Sequence, residues 1–149
     1  MKLIENLKGP KGVLNIVLRD ETGAIKEDVT VENLVVDTGL DYIASRMKDT
    51  TFGAMSHMAV GAGTTNPAAG DTQLESQLGS RVSLTSTTVT DNAVEYVATF
   101  GAGVGTGAVT EAGIFNASTS GTMLCRTEFA VINKGASDSM TITWTVTIS

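Results

Sequence analysis

The stretch Met140-Thr-Ile-Thr-Trp-Thr-Val-Thr-Ile148 decides the fold. Met140, Ile142, Trp144, Val146 and Ile148 alternate with four threonines, and successive side chains of an extended chain point to opposite faces. Such a period predicts a strand with one buried face and one open face. Trp144 falls on the apolar side and is expected in the core. Residues 93–100 repeat the pattern, with Val94, Tyr96, Ala98 and Phe100 on one face. Asp91-Asn92 joins that run to an extended stretch over 81–90, a two-residue hairpin signal.

Upstream, residues 13–18 predict a first strand, Asp20 to Gly23 a turn, and the valine-rich run ending at Val36 its hairpin partner. Leu40, Ile43, Ala44 and Met47 fall at i, i+3, i+4 and i+7, one stripe of an amphipathic helix over residues 37–48. Asp37 or Thr38 is placed to cap its first turn, and Arg46 and Lys48 sit where the helix dipole favours positive charge. A shorter helical turn is expected over 72–78. Residues 55–60 read as an apolar strand, 61–71 as a loop, and 108–115 with 122–132 as a further hairpin. About eight antiparallel strands and one short helix predict an all-β domain, a jelly-roll-like β-sandwich over residues 13–149. Residues 1–12, broken by Gly9, Pro10 and Gly12, read as an N-terminal arm.

Composition agrees. The 149 residues fit one domain, large enough to fold without disulfide or metal staples. Hydrophobic residues are 42% and charged ones 17%, too apolar for a disordered chain, and 22 Thr with 11 Ser supply most of the polarity. One Cys excludes an intramolecular disulfide, and one His excludes a two-His zinc site within the chain. A net charge of −6 argues against nucleic acid as a partner. No apolar run reaches membrane-spanning length, and the Met-Lys-Leu-Ile-Glu start lacks the apolar segment of a secretory signal.

Searching for chemistry yields little. The Gly101-Ala-Gly-Val-Gly-Thr-Gly107 loop has no following Lys for a phosphate loop, and its spacing misses the dinucleotide fingerprint. Ser56 and His57 are neighbours in an apolar run and are expected on opposite faces of a strand, out of each other's reach. Cys125 reads as a buried structural thiol, although Arg126 beside it would lower its pKa if the guanidinium lay close. The carboxylates are scattered, and aromatics at 5% are too few for a sugar-binding cleft. The expectation is therefore no enzyme, no cofactor and no metal.

The run Asn33-Leu-Val-Val-Asp-Thr-Gly-Leu40 precedes the helix; then come His57-Met-Ala-Val-Gly-Ala-Gly-Thr-Thr-Asn-Pro-Ala-Ala-Gly-Asp-Thr-Gln-Leu-Glu75 and Val109-Thr-Glu-Ala-Gly-Ile-Phe-Asn116. Together these resemble the small virion proteins of tailed bacteriophages, and in particular the head decoration, or cement, proteins. Similar phrases occur in tail-fibre and baseplate modules, and a tail, collar or fibre module contributing to host attachment forms the alternative. The resemblance implies a jelly-roll-like sandwich made in the host cytoplasm and carried on the capsid surface of the virion. It implies the major capsid protein as partner, with copies bridging its subunits to stabilise the shell. Self-association is expected as a homodimer first and a trimer second. The basic arm supplies the expected capsid contacts, Lys2, Ile4, Leu7, Lys8 and Lys11.

Overall fold

The computed structural model describes residues 9–148. In chain order its elements are β1 (Lys11–Arg19), β2 (Ile25–Val35), α1 (Asp37–Arg46), β3 (His57–Gly61), β4 (Val82–Ser83), β5 (Ser86–Thr90), β6 (Ala93–Phe100), β7 (Gly107–Phe115), β8 (Met123–Lys134) and β9 (Ser139–Thr147). The described residues are all-β with one short helix, as the alternation implies. Their nine strands form a single antiparallel sheet in the order β4-β3-β7-β8-β2-β1-β9-β6-β5. Where two packed sheets are expected of a sandwich, the strands form one curled sheet. β2 is the pivot: it pairs along β1, while its last residues Leu34 and Val35 pair with Arg126 and Cys125 of β8.

The ninth strand comes from the run over 81–90, which the hairpin reading treats as continuous. The Leu84 N–H bonds the Ser56 carbonyl beside β3, whereas the next N–H, from Thr85, bonds Val97 in β6. One residue thus hands the chain from one end of the sheet to the other and splits the run into β4 and β5. The Asp91-Asn92 turn is where the sequence puts it, with Asp91 at φ 52°.

Both halves of the curl send their inner faces into one core. Leu14, Ile16, Tyr96, Phe100, Ile142 and Trp144 come from one half; Met58, Val60, Ile114, Leu124 and Ile132 meet them from the other. Burying each such side chain contributes about 1.5–3 kcal/mol. Trp144 has no exposed surface, and its indole N–H donates to Asn33 Oδ1 at 2.7 Å. Gly12, expected to interrupt regular structure, lies inside β1 instead. A Cβ there would collide with the Asn33 side chain, so the missing methyl makes room for the group that satisfies Trp144. The expected arm therefore gives way to strand two residues early, at Lys11.

Two helical expectations change. In α1 the buried residues are Gly39 and Tyr42, while Leu40 and Met47 of the expected stripe are 42% and 87% exposed. Gly39 lies so close to β8 that a Cβ would strike the Leu124 carbonyl, and this approach rotates Tyr42 inward. No side chain caps the helix: Val36 is its N-cap, and Thr38 Oγ1 donates to the Met123 carbonyl instead. Residues 72–78 form no helical turn. They belong to an irregular strap that lies over the outer face of β3, β7 and β8, where Leu74 packs with Val36, Ala59, Phe115 and Met123 as a second small core.

Candidate functional site

The two outer faces of the curl differ. That of β3-β7-β8 lies beneath the strap, so nearly every residue of β7 is buried on both sides. That of β2-β1-β9-β6-β5 stays open. Its central row is Thr141, Thr143, Thr145 and Thr147, flanked by Val13, Asn15 and Val17 from β1 and by Glu95, Val97 and Thr99 from β6. Each of these positions is exposed or half-exposed. Thr99 and Thr141 share a hydroxyl–hydroxyl bond of 3.0 Å, and Asn15 donates to Asp28 at 2.7 Å. The result is a broad pleated surface whose middle is hydroxyls and methyls, bordered by exposed Asp28 and Glu32 of β2 and Glu95 of β6, with Lys11 and Arg19 at the ends of β1, and it is suited to contact with another protein surface rather than to a small ligand. Its neighbouring rows mix Val, Asn and Glu, so the threonines form one row rather than a repeating array.

The strap is held by a buried ion pair that the sequence reading passes over. Glu111 in β7 is fully buried and Arg126 in β8 is 2% exposed. Gly113 stands opposite Arg126 in the ladder, which places Glu111 diagonally across from it on the same face. Arg126 donates from Nε and Nη2 to Glu111 Oε2 at 3.0 and 2.8 Å, from Nη1 to Asp71 Oδ2 at 3.0 Å, and from Nη2 to the Thr65 carbonyl. Glu111 also accepts the backbone N–H groups of Gly63, Ser76 and Glu75, at 3.1, 2.7 and 3.0 Å. Gly61 and Gly63 belong here, since a Cβ on either would sit on the Glu111 carboxylate. The sequence runs around Gly61 and around Glu111 therefore meet in space and fasten the strap to the sheet. Arg81 adds a clamp: its guanidinium lies 3.5 Å from the Phe115 ring centroid and donates to the Ala117 and Ser120 carbonyls, and burial lowers its pKa.

Of the expected capsid contacts, Lys11 is exposed at the start of β1 opposite Thr147, beside the open face. Lys2, Ile4, Leu7 and Lys8 lie outside the described residues. Ser56 and His57 do reach each other, at 2.7 Å between Oγ and Nδ1. The expectation of opposite faces fails because β3 begins only at His57, so strand alternation does not govern Ser56. Among the described residues, no group of three or more His, Cys, Asp or Glu is arranged to hold a metal ion.

Cys125 is fully buried, and burial pushes its thiol well above the ordinary value. Arg126 cannot lower it, because neighbours on a strand face opposite ways and the guanidinium is spent on Glu111. Cys125 is accordingly expected to resist a thiol reagent such as dithionitrobenzoate in native protein and to react at once in denaturant. Rapid labelling of native protein would contradict this burial. The glycine loop turns through positive φ at Gly103, Gly105 and Gly107 and presents a carbonyl, that of Gly101, to the buried Lys134 Nζ at 2.8 Å.

Between α1 and the ends of β6 and β9 lies an apolar cavity of about 230 Å³, lined by Tyr42, Ile43, Val94, Tyr96 and Val146 among others. It is below the roughly 300–1,000 Å³ usual for ligand pockets. No helix among the described residues is long and apolar enough to cross a membrane. Comparison of the chain with protein families, with curated proteins and with solved structures found no match.

Proposed function

We propose that the protein is a structural component of a bacteriophage virion, a head decoration protein that binds outside the capsid and bridges neighbouring major capsid subunits. The observation that carries this reading is the asymmetry of the curl, in which one outer face is closed by a locked strap and the other is left open, with a hydroxyl-rich middle along β9 bordered by charged residues. The sequence phrases behind the resemblance support it, because their residues build architecture, the Glu111–Arg126 lock and the Gly61 and Gly63 approach. Many copies on a repeating shell turn weak contacts into durable attachment through avidity. The arm, carrying Lys2 and Lys8, and Lys11 at the start of β1 add contacts to acidic groups on the shell.

Electron cryomicroscopy of the parent particle tests this. Hundreds of copies over the head support the proposal, and a few copies at the tail, collar or fibres overturn it. Since β1 begins at Lys11, removal of residues 1–8 is expected to leave the urea midpoint unchanged and to lower head occupancy several-fold. Full occupancy by the shortened chain would take the arm out of the mechanism.

A further inference from the structure

β5 ends the sheet order and, among the described residues, pairs on one side only, with β6. All five of its residues are exposed, and Val89 keeps 70% of its surface in water. Sheet edges are ordinarily protected by charge, by proline, by a bulge or by extreme shortness. β4, at the opposite end of the order, is two residues long and needs no more. β5 has none of these devices: from Val82 to Thr90 there is neither a charged residue nor a proline. An uncharged, β-branched edge with unpaired N–H and C=O groups is a template for another strand.

We propose that the occupant is β5 of a second copy, paired antiparallel about a two-fold axis through Thr88. In that register Thr88 faces Thr88, Ser86 faces Thr90, and Thr87 faces Val89, so Val89 gains cover on both copies. Thr–Thr and Thr–Val pairs across strands are favourable, and no like charges meet. The Asp91 carboxylates fall at opposite ends, about 20 Å apart at strand spacing. Parallel pairing in register would set them side by side, which favours the antiparallel choice. A two-fold contact is also self-closing, so it yields dimers rather than filaments. The inference deepens the proposed function by making the decorating unit a β5-linked dimer. Its test needs no capsid, so its failure and the failure of the decoration reading are separable.

The experiment is sedimentation of the purified full chain from about 1 to 100 µM, where wild type is expected to be dimeric at the upper end. Thr88→Lys and Thr88→Glu each set like charges on the two-fold and are expected to weaken association at least about ten-fold, while an equimolar mixture recovers the dimer. Thr88→Cys adds no charge, and opposed Cα atoms about 4.5–5.5 Å apart suit a disulfide. This variant is expected to cross-link on mild oxidation, whereas wild type, whose lone cysteine is buried, does not. Circular dichroism is expected to match wild type for all three, and urea midpoints taken at about 1 µM to match for Thr88→Cys and Thr88→Lys and to fall slightly for Thr88→Glu, which stands opposite Glu95 of β6. A monomeric or trimeric wild type overturns the proposal. So does association that both charged variants leave intact, a mixture no better than either alone, or Thr88→Cys that fails to cross-link.

Discussion

Glu111→Ala is expected to lower the stability of the domain by about 3–5 kcal/mol, a large share of the roughly 5–15 kcal/mol that holds a domain together. The substitution strips three backbone N–H groups of their acceptor and leaves a 2% exposed guanidinium with Asp71, the Thr65 carbonyl and a longer 3.8 Å contact to Glu75. Each buried donor left unsatisfied costs about 1–3 kcal/mol. Glu111→Gln is expected to fare little better, because one amide end would turn an N–H towards either Arg126 or the strap, where donors already point. Arg126→Met is expected to cost less than Glu111→Ala, since the carboxylate keeps its three N–H partners. The loss is local first. Amides over residues 62–78 should exchange faster than those of β9 in every variant, because the lock ties the strap to the sheet while the main core lies on the other side of it. Urea midpoints and hydrogen exchange check this together. A Glu111→Ala loss below about 1 kcal/mol would mean that Leu74 and its small core hold the strap unaided.

That lock shows where legibility ends. Strands whose two faces meet different media announce themselves, and β6 and β9 do so because one side is core and the other open. β7 and β8 are covered on both sides over much of their length, so burial no longer alternates and period two fades. A charged pair inside such strands is the remaining signal. Glu111 and Arg126 stand in apolar runs that the sequence already reads as one hairpin, and a diagonal register would have joined them. The face that α1 buries was not legible, because it depends on Gly39 meeting a carbonyl in β8, a strand some eighty residues away. Nor was the division of β4 from β5, which depends on which end of the curled sheet takes each N–H, a property of the closed fold. The all-β class survived these misses because it rests on strand periodicity, whereas the single curled sheet rests on pairing.

The two faces of β9 permit a double dissociation with large effects in opposite assays. Trp144→Ala removes the largest fully buried side chain, orphans Asn33 Oδ1, and is expected to destabilise the domain by about 3–5 kcal/mol. Trp144→Phe, which keeps a ring but loses the N–H, should cost clearly less. The next residue back, Thr143, sits mid-row on the open face between Asn15 and Val97, and a change there touches no core group. Thr143→Glu is expected to shift stability by no more than about 0.5 kcal/mol. On the decoration reading it would nonetheless reduce head occupancy at least about ten-fold, since a carboxylate must be desolvated in the middle of the contact and the penalty recurs at every copy. Ser118→Glu, at the exposed hairpin tip, adds the same charge elsewhere and should leave occupancy unchanged. If Thr143→Glu particles were as fully decorated as wild type, the open face would not be the adhesive surface, and the strap-covered half would take its place as the side that meets the shell. Stability alone cannot make that distinction, because the curl closes around Trp144 whichever outer face makes a contact.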